Sequence, residues 1–263
     1  MVQDRFIPFL GYHHLLMILL TIAVILISIL IAGCTSESLS DIYLMSLSYA
    51  NHVQSPDSPE SLRNASFAIS DLAANHTPLE VRVGYLGMCL LVSGQRICSR
   101  SHTVLETFIL RMASEDEIGD PLNVIYAANE FRRDVVFVAL LFVSIVLALL
   151  SILLISTFPA WHEEENSDGS DREVKPFPPR RVSKACFLLL FIASVLSLLT
   201  SFWQHLSSAA ASSMAEIFTY NNVRGNVGAG AMALGWLSTF LLAVTCVGML
   251  GKILAISVLS QMV

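Results

Sequence analysis

The sequence predicts a mainly α protein: a four-helix transmembrane bundle with a small disulfide-bonded extracellular β-rich domain in the first outer loop. Three observations lead there. The 263 residues are 54% hydrophobic and only 14% charged, about half the charge of an ordinary soluble domain. The apolar residues fall in four blocks free of Asp, Glu, Lys and Arg. Between the first two blocks lies a segment of different character, with strand-like runs and a pair of cysteines. This composition excludes a soluble enzyme and a disordered chain. A net charge of -6 offers no basic stripe for nucleic acid.

A spanning helix needs about 20 apolar residues to cross a hydrocarbon core about 30 Å thick. The blocks at 15–33, 135–158, 185–203 and 231–251 meet that need. The first also has the look of a secretory signal, because Leu30-Ile31-Ala32-Gly33-Cys34 resembles a lipoprotein cleavage box. It is too long for a signal core and three more spans follow, so a retained helix is expected. Lys and Arg of short loops stay cytoplasmic. Segment 159–184 carries Arg172, Lys175, Arg180, Arg181 and Lys184, whereas 204–230 carries only Arg224. The first is therefore read as a cytoplasmic loop and the second as extracellular. The 1–14 terminus and the 252–263 tail are then both cytoplasmic, and 34–134 lies outside in a multi-pass plasma-membrane protein. Asn64-Ala65-Ser66 and Asn75-His76-Thr77 are glycosylation acceptors, both in the segment assigned outside.

Within that segment, Ile42–Ala50 and Leu79–Ser93 read as strands, being rich in β-branched and aromatic residues and free of proline. Val104–Met112 and Leu122–Phe131 read as helical, the latter as an extension of the second span. Cys89 and Cys98 flank a Ser93-Gly94 turn, and in an oxidising compartment a disulfide between them would persist. Gly84 and Gly87 inside a strand pattern mark a bulge or a close backbone approach. Cys186 and Cys246 read as small buried hydrophobes within spans.

The run Gly84-Tyr85-Leu86-Gly87-Met88-Cys89, followed by Cys98, resembles the signature of a fungal calcium-regulator and membrane-fusion family induced in mating. That family looks like a branch of the claudin-like four-span membrane proteins. No tryptophan stands near Gly84, which separates the chain from claudins proper, and Ser99 occupies a position that the fungal pattern gives to a hydrophobic residue. Tetraspanins carry their large outer loop between the third and fourth spans, and here it follows the first. The resemblance implies a non-enzymatic plasma-membrane protein supporting low-affinity calcium influx and cell–cell membrane fusion during mating or hyphal growth. Two other readings stand beside it: an oligomeric calcium-channel subunit forming its own pore, and a claudin-like cortical organiser with indirect calcium effects.

Catalysis would need convergent polar groups, and the seven histidines show no ligand spacing. No cofactor is expected beyond weakly bound calcium, for which Glu115, Asp116, Glu117 and Asp120 are the densest acidic candidates; the other reading of this cluster is a solvated helix start, since no glycine-centred calcium loop surrounds it. Segment 34–134 holds 13 Asp and Glu against 7 Arg. Ionisable residues inside spans normally mark ion routes, and these blocks have none. Calcium passage would then require an oligomer or a separate channel. Expected partners are membrane lipid and either further copies of the chain or calcium-channel subunits, with no nucleic acid. Pro176-Phe177-Pro178-Pro179-Arg180-Arg181 fits a polyproline ligand for an adaptor domain, and its basic residues also suit anionic inner headgroups. Ala231, Gly235, Thr239 and Ala243 form a small-residue stripe that suits close helix approach, either within the bundle or in self-association. Gly225, Gly228 and Gly230 suggest a flexible lead-in to the fourth span.

Overall fold

A computed structural model of the chain describes residues 12–50, 69, 79–116, 120–158, 162–165, 171–174 and 180–262. The elements run α1 (Tyr12–Ile31), a 3-10 turn (Glu37–Leu39), β1 (Met45–Tyr49), β2 (Leu79–Val83), β3 (Met88–Val92), β4 (Gln95–Ser99), α2 (His102–Asp116) and α3 (Val124–Val135). They continue with α4 (Val138–Ser156), β5 (His162–Glu165), β6 (Asp171–Val174), α5 (Arg180–Phe218), β7 (Val223–Val227) and α6 (Ala229–Met262). Among the described residues four helices are long and apolar enough to cross a membrane: α1, α4, α5 and α6. The chain divides into two compact units.

The helical unit takes residues 1–27, 139–199 and 236–263. Each helix buries one seam whose residues recur at alternating steps of three and four. These are Leu16, Leu20, Ala23 and Ile27 on α1, then Leu141, Ser144, Ala148, Ser151 and Ile155 on α4. Cys186, Leu190, Ala193 and Ser197 of α5 and Leu242, Thr245 and Met249 of α6 complete the set. Small side chains on these seams let helices approach closely where lipid supplies no hydrophobic drive. Their hydroxyls are satisfied locally: Ser144, Ser151 and Thr245 donate to carbonyls one turn earlier at 2.9, 2.8 and 2.7 Å. Tyr12 Oη donates to the Gly248 carbonyl at 2.9 Å, and Ser197 and Thr239 share a hydrogen bond at 2.8 Å. The opposite faces expose Ile18, Ile22, Phe142, Leu153, Leu188, Phe191, Phe240 and Val247. An apolar belt of this extent suits hydrocarbon, not water. The chain is a membrane protein.

The sheet unit takes residues 28–138 and 200–235. Its five-stranded antiparallel sheet has the order β4-β3-β2-β1-β7. In register, Leu47 of β1 stands opposite Val81 of β2 on one side and Gly225 of β7 on the other. Leu79, Val81 and Val83 alternate inward with Met88, Leu90 and Val92, as a half-buried sheet requires. Leu105 and Ile109 of α2 and Val124, Ile125, Ala128 and Phe131 of α3 complete the core.

Several expectations are refined. The run 79–93 is two strands, divided by a turn at 84–87. The helix over α3 stops at Val136, which is extended at φ -93°, ψ 112°, so α4 starts anew. The third helix continues past Trp203 to Phe218, and the segment after it supplies the fifth strand of the sheet. Segment 159–184 contains the β5–β6 hairpin, with His162 opposite Val174.

Candidate functional site

The chain leaves α1 through Gly33 and Cys34, and Cys34 takes a left-handed backbone at φ 56°. That region is costly for a residue with a Cβ, so surrounding contacts must hold it. The Cys34 N–H donates to the Leu39 carbonyl at 3.1 Å, and its thiol faces the Ile42 carbonyl at 3.5 Å. Burial pushes the Cys34 thiol up to about 12; nearby Arg82 offsets part of this and Asp41 adds to it.

The turn between β2 and β3 seats on this elbow. Gly84 N–H donates to the Gly87 carbonyl at 2.9 Å. A Cβ on Gly84 would overlap the Gly33 carbonyl oxygen, and one on Gly87 would overlap that of Cys34. Glycine is required at both positions because two backbones touch, which is the close approach that the spacing of the two glycines anticipates. Between them Tyr85 points inward, 5% exposed, and donates its hydroxyl to Gln204 Oε1 at 2.8 Å. Its ionisation is pushed far above the ordinary phenol range by burial. Gln204 also donates to Met232 Sδ at 3.6 Å, and Ser201 donates to the Gly235 carbonyl at 3.0 Å. The motif turn is thereby tied to α5 and α6 within this unit.

Next in the chain, Cys89 and Cys98 are direct register partners with Cα atoms 4.0 Å apart, and they are joined by a disulfide. Closing a loop of this length contributes about 2.7 kcal/mol on a chain-entropy basis. Arg82, on β2, pairs with Asp41 at 2.5 Å and Glu80 at 2.8 Å and lies 5.0 Å from the centre of the Tyr43 ring. Burial disfavours its charge, but the bonds to Glu80 and Asp41 outweigh this and raise its ionisation. Arg96 of β4 donates to Ser40 Oγ at 3.1 Å. The loop after α1 is thus held by β2 and β4 together.

Of the acidic candidates, Asp120 accepts hydrogen bonds from Val124 N at 2.8 Å and Ile125 N at 2.9 Å. It also accepts the Tyr49 hydroxyl at 2.6 Å. Its carboxylate therefore caps the start of α3, where unpaired N–H groups and the helix dipole favour an anion. Glu117 and the side chains of Glu115 and Asp116 lie outside the described residues, as do Asn64, Asn75 and Pro176 to Pro179. Among the described residues, no three His, Cys, Asp or Glu side chains gather as a metal-ligand set.

Asp120 stands at a helix start, one of the two readings of the acidic run, and serves as its cap. Two features escape the sequence reading. Tyr85 meets Gln204 although 119 positions separate them. Gly225 and Gly228 are sites of close approach, not a flexible lead-in: a Cβ on Gly225 would press on Ser212, and one on Gly228 would overlap the Tyr43 carbonyl. The small-residue stripe packs against α5, through Gly235 within the sheet unit and Thr239 within the helical unit.

Fold and site together define a multi-span membrane protein with a disulfide-clipped antiparallel sheet and a glycine turn pressed on the elbow after its first helix. The sequence profile of the family described as Ca2+ regulator and membrane fusion protein Fig1 matches residues 65–255. The chain belongs to this family. No curated protein shows significant similarity to it.

Proposed function

We propose that the chain is a plasma-membrane protein, with both termini cytoplasmic and its sheet unit outside, which supports low-affinity calcium influx and cell–cell fusion in fungal mating or hyphal growth. The family match over residues 65–255 carries this reading. The glycine turn, the disulfide and the Arg82 cluster make the sheet unit a stiff outer platform for lateral or facing contacts. Asn64 and Asn75 are its glycan acceptors. The motif turn is a positioning device and not a reaction centre, so the role is structural and regulatory rather than enzymatic.

Calcium takes six to eight oxygen ligands and conducting filters present rings of carbonyls or carboxylates. The four apolar blocks carry no acidic side chain, which favours regulation of a separate channel over a pore within one copy. Weak calcium binding at Glu115, Asp116 and Glu117 would act at the outer surface. Polyproline binding at 176–181 would place an adaptor partner on the opposite side. The deciding experiment compares calcium uptake in cells lacking the chain with flux into liposomes holding the purified chain alone. The account predicts deficient uptake in the cells and no flux in bare liposomes. Calcium current in the liposomes would favour the oligomeric pore, and unaltered cellular uptake would defeat the calcium role.

A further inference from the structure

Ser183 lies in the first turn of α5, 4% exposed, and its hydroxyl has no hydrogen-bond partner. A buried hydroxyl left unpaired has lost its hydration without return. Such a group points to a water, an ion or a ligand that completes it.

The surroundings of Ser183 say which. A helical side chain leans toward the N-terminus of its own helix, which directs this hydroxyl at the open end of α5. The first four N–H groups of a helix have no partner within it, and the helix dipole makes that end positive. An acidic side chain in the first turn would answer this charge, and α5 has none there. Arg180, Arg181 and Lys184 stand there instead, all exposed. Among the described residues, neither Arg181 nor Lys184 forms an ion pair. Like charges one turn apart repel, and cations at a helix N-terminus oppose its dipole. A further cation comes from α6. Lys252 Nζ stands 4.1 Å from the centre of the buried Phe158 ring and lies within electrostatic reach of Cys186. Cys186 follows Ser183 by three residues on the same buried seam, and its thiol faces the Ser151 carbonyl of α4 at 3.8 Å. Water would complete the hydroxyl but leave the charge unanswered. A phosphate group does both, because it accepts hydrogen bonds from helix-end N–H groups, hydroxyls and cationic side chains alike.

We propose that the start of α5 is a phosphate-binding site, in which the first-turn N–H groups, the Ser183 hydroxyl, Arg181 and Lys184 hold the phosphate of a lipid headgroup. The lipid is the source because the site opens at the end of a spanning helix, and basic pockets at the inner face take anionic headgroups. This rests on the proposed cytoplasmic placement of segment 159–184. It gives the third span one defined lipid ligand, beyond a general attraction of its basic residues to the membrane.

The test titrates the purified full chain in nonionic detergent with dioctanoyl phosphatidylinositol phosphate, and in parallel with inorganic phosphate. Binding is read from the rise in the thermal transition. The lipid binds saturably to the wild type. Ser183→Ala removes no charge, yet weakens binding about tenfold, as loss of a hydrogen bond to a charged group should. Without ligand, the same variant unfolds no earlier than wild type, because the hydroxyl it loses was unpaired. R181Q/K184Q also weakens binding at least tenfold. Inorganic phosphate that competes as well as the lipid would overturn the lipid as the source. Unchanged affinity in Ser183→Ala, with loss only in R181Q/K184Q, overturns the site, since surface charge alone would then account for binding. So does the absence of saturable binding, or binding that emerges only in E163Q/E164Q/E165Q, which would show the site filled by carboxylates of the chain itself. Binding is read on purified protein and calcium uptake in cells, so failure of the site and failure of the proposed function are distinguishable.

Discussion

Gly84 and Gly87 touch carbonyl oxygens of the elbow after α1, so a single methyl group tests the seat of the motif turn. Gly84→Ala or Gly87→Ala is expected to cost about 3 kcal/mol or more, at or above the upper end of overpacked cores because the added methyl meets backbone oxygen, and to leave the chain retained inside the cell. Gly94→Ala is the control: nothing lies within 4 Å of its added Cβ, and only its positive φ of 82° is strained, so about 1 kcal/mol is expected. Surface labelling and thermal unfolding in detergent check both. Cys34 gives a second residue-scale prediction. Its thiol is buried and raised from 9.0 to about 12, so maleimide at pH 7–9 should leave it unmodified until the chain is unfolded. A raised thiol value means that the folded state holds its proton more tightly. Its contribution to stability is therefore full below pH 9 and declines as pH rises from 9 to about 12. Labelling of native Cys34 at pH 8 as fast as in the unfolded chain would contradict this placement.

At the scale of elements, the disulfide couples β3 to β4. Cys89→Ser, Cys98→Ser and the double variant should each lose about 2–3 kcal/mol, since all three remove one and the same crosslink. Unfolding with and without reductant checks this, and reductant should affect only the wild type. The start of α3 rests on Asp120, so Asp120→Ala should cost about 1 kcal/mol. Tyr49→Phe in that background should add less than it does alone, because the two groups share a hydrogen bond at 2.6 Å; fully additive losses would refute the coupling. The elements also show what a sequence discloses. The spans, the β3–β4 hairpin with its disulfide, and α2 and α3 are legible because local periodicity and turn chemistry determine them. Strand β7 is not. Val223-Arg224-Gly225-Asn226-Val227 has little strand character alone, and becomes a strand only by pairing with Met45 to Tyr49, far away in the chain. The extension of α5 is hidden similarly, since Ser207 to Ser213 is a Ser-Ala run without an apolar period.

For the whole molecule, the same limit applies to the site. Two glycines at the spacing of 84 and 87 announce a close approach but not its partner, because the elbow at Gly33 and Cys34 lies about fifty positions earlier. Asp120 stands in an acidic run that reads either as a weak cation site or as a helix start, and only its hydrogen bonds to Val124 and Ile125 distinguish a cap from a solvated side chain. The proposed function depends on which side of the membrane the sheet unit occupies. The most direct measurement places an epitope tag in the exposed Ser93-Gly94 turn between β3 and β4 and another after Val263, and stains cells before and after permeabilisation. The account predicts that antibody reaches the turn tag on intact cells and the terminal tag only after permeabilisation. A turn tag that stains only in permeabilised cells would contradict it.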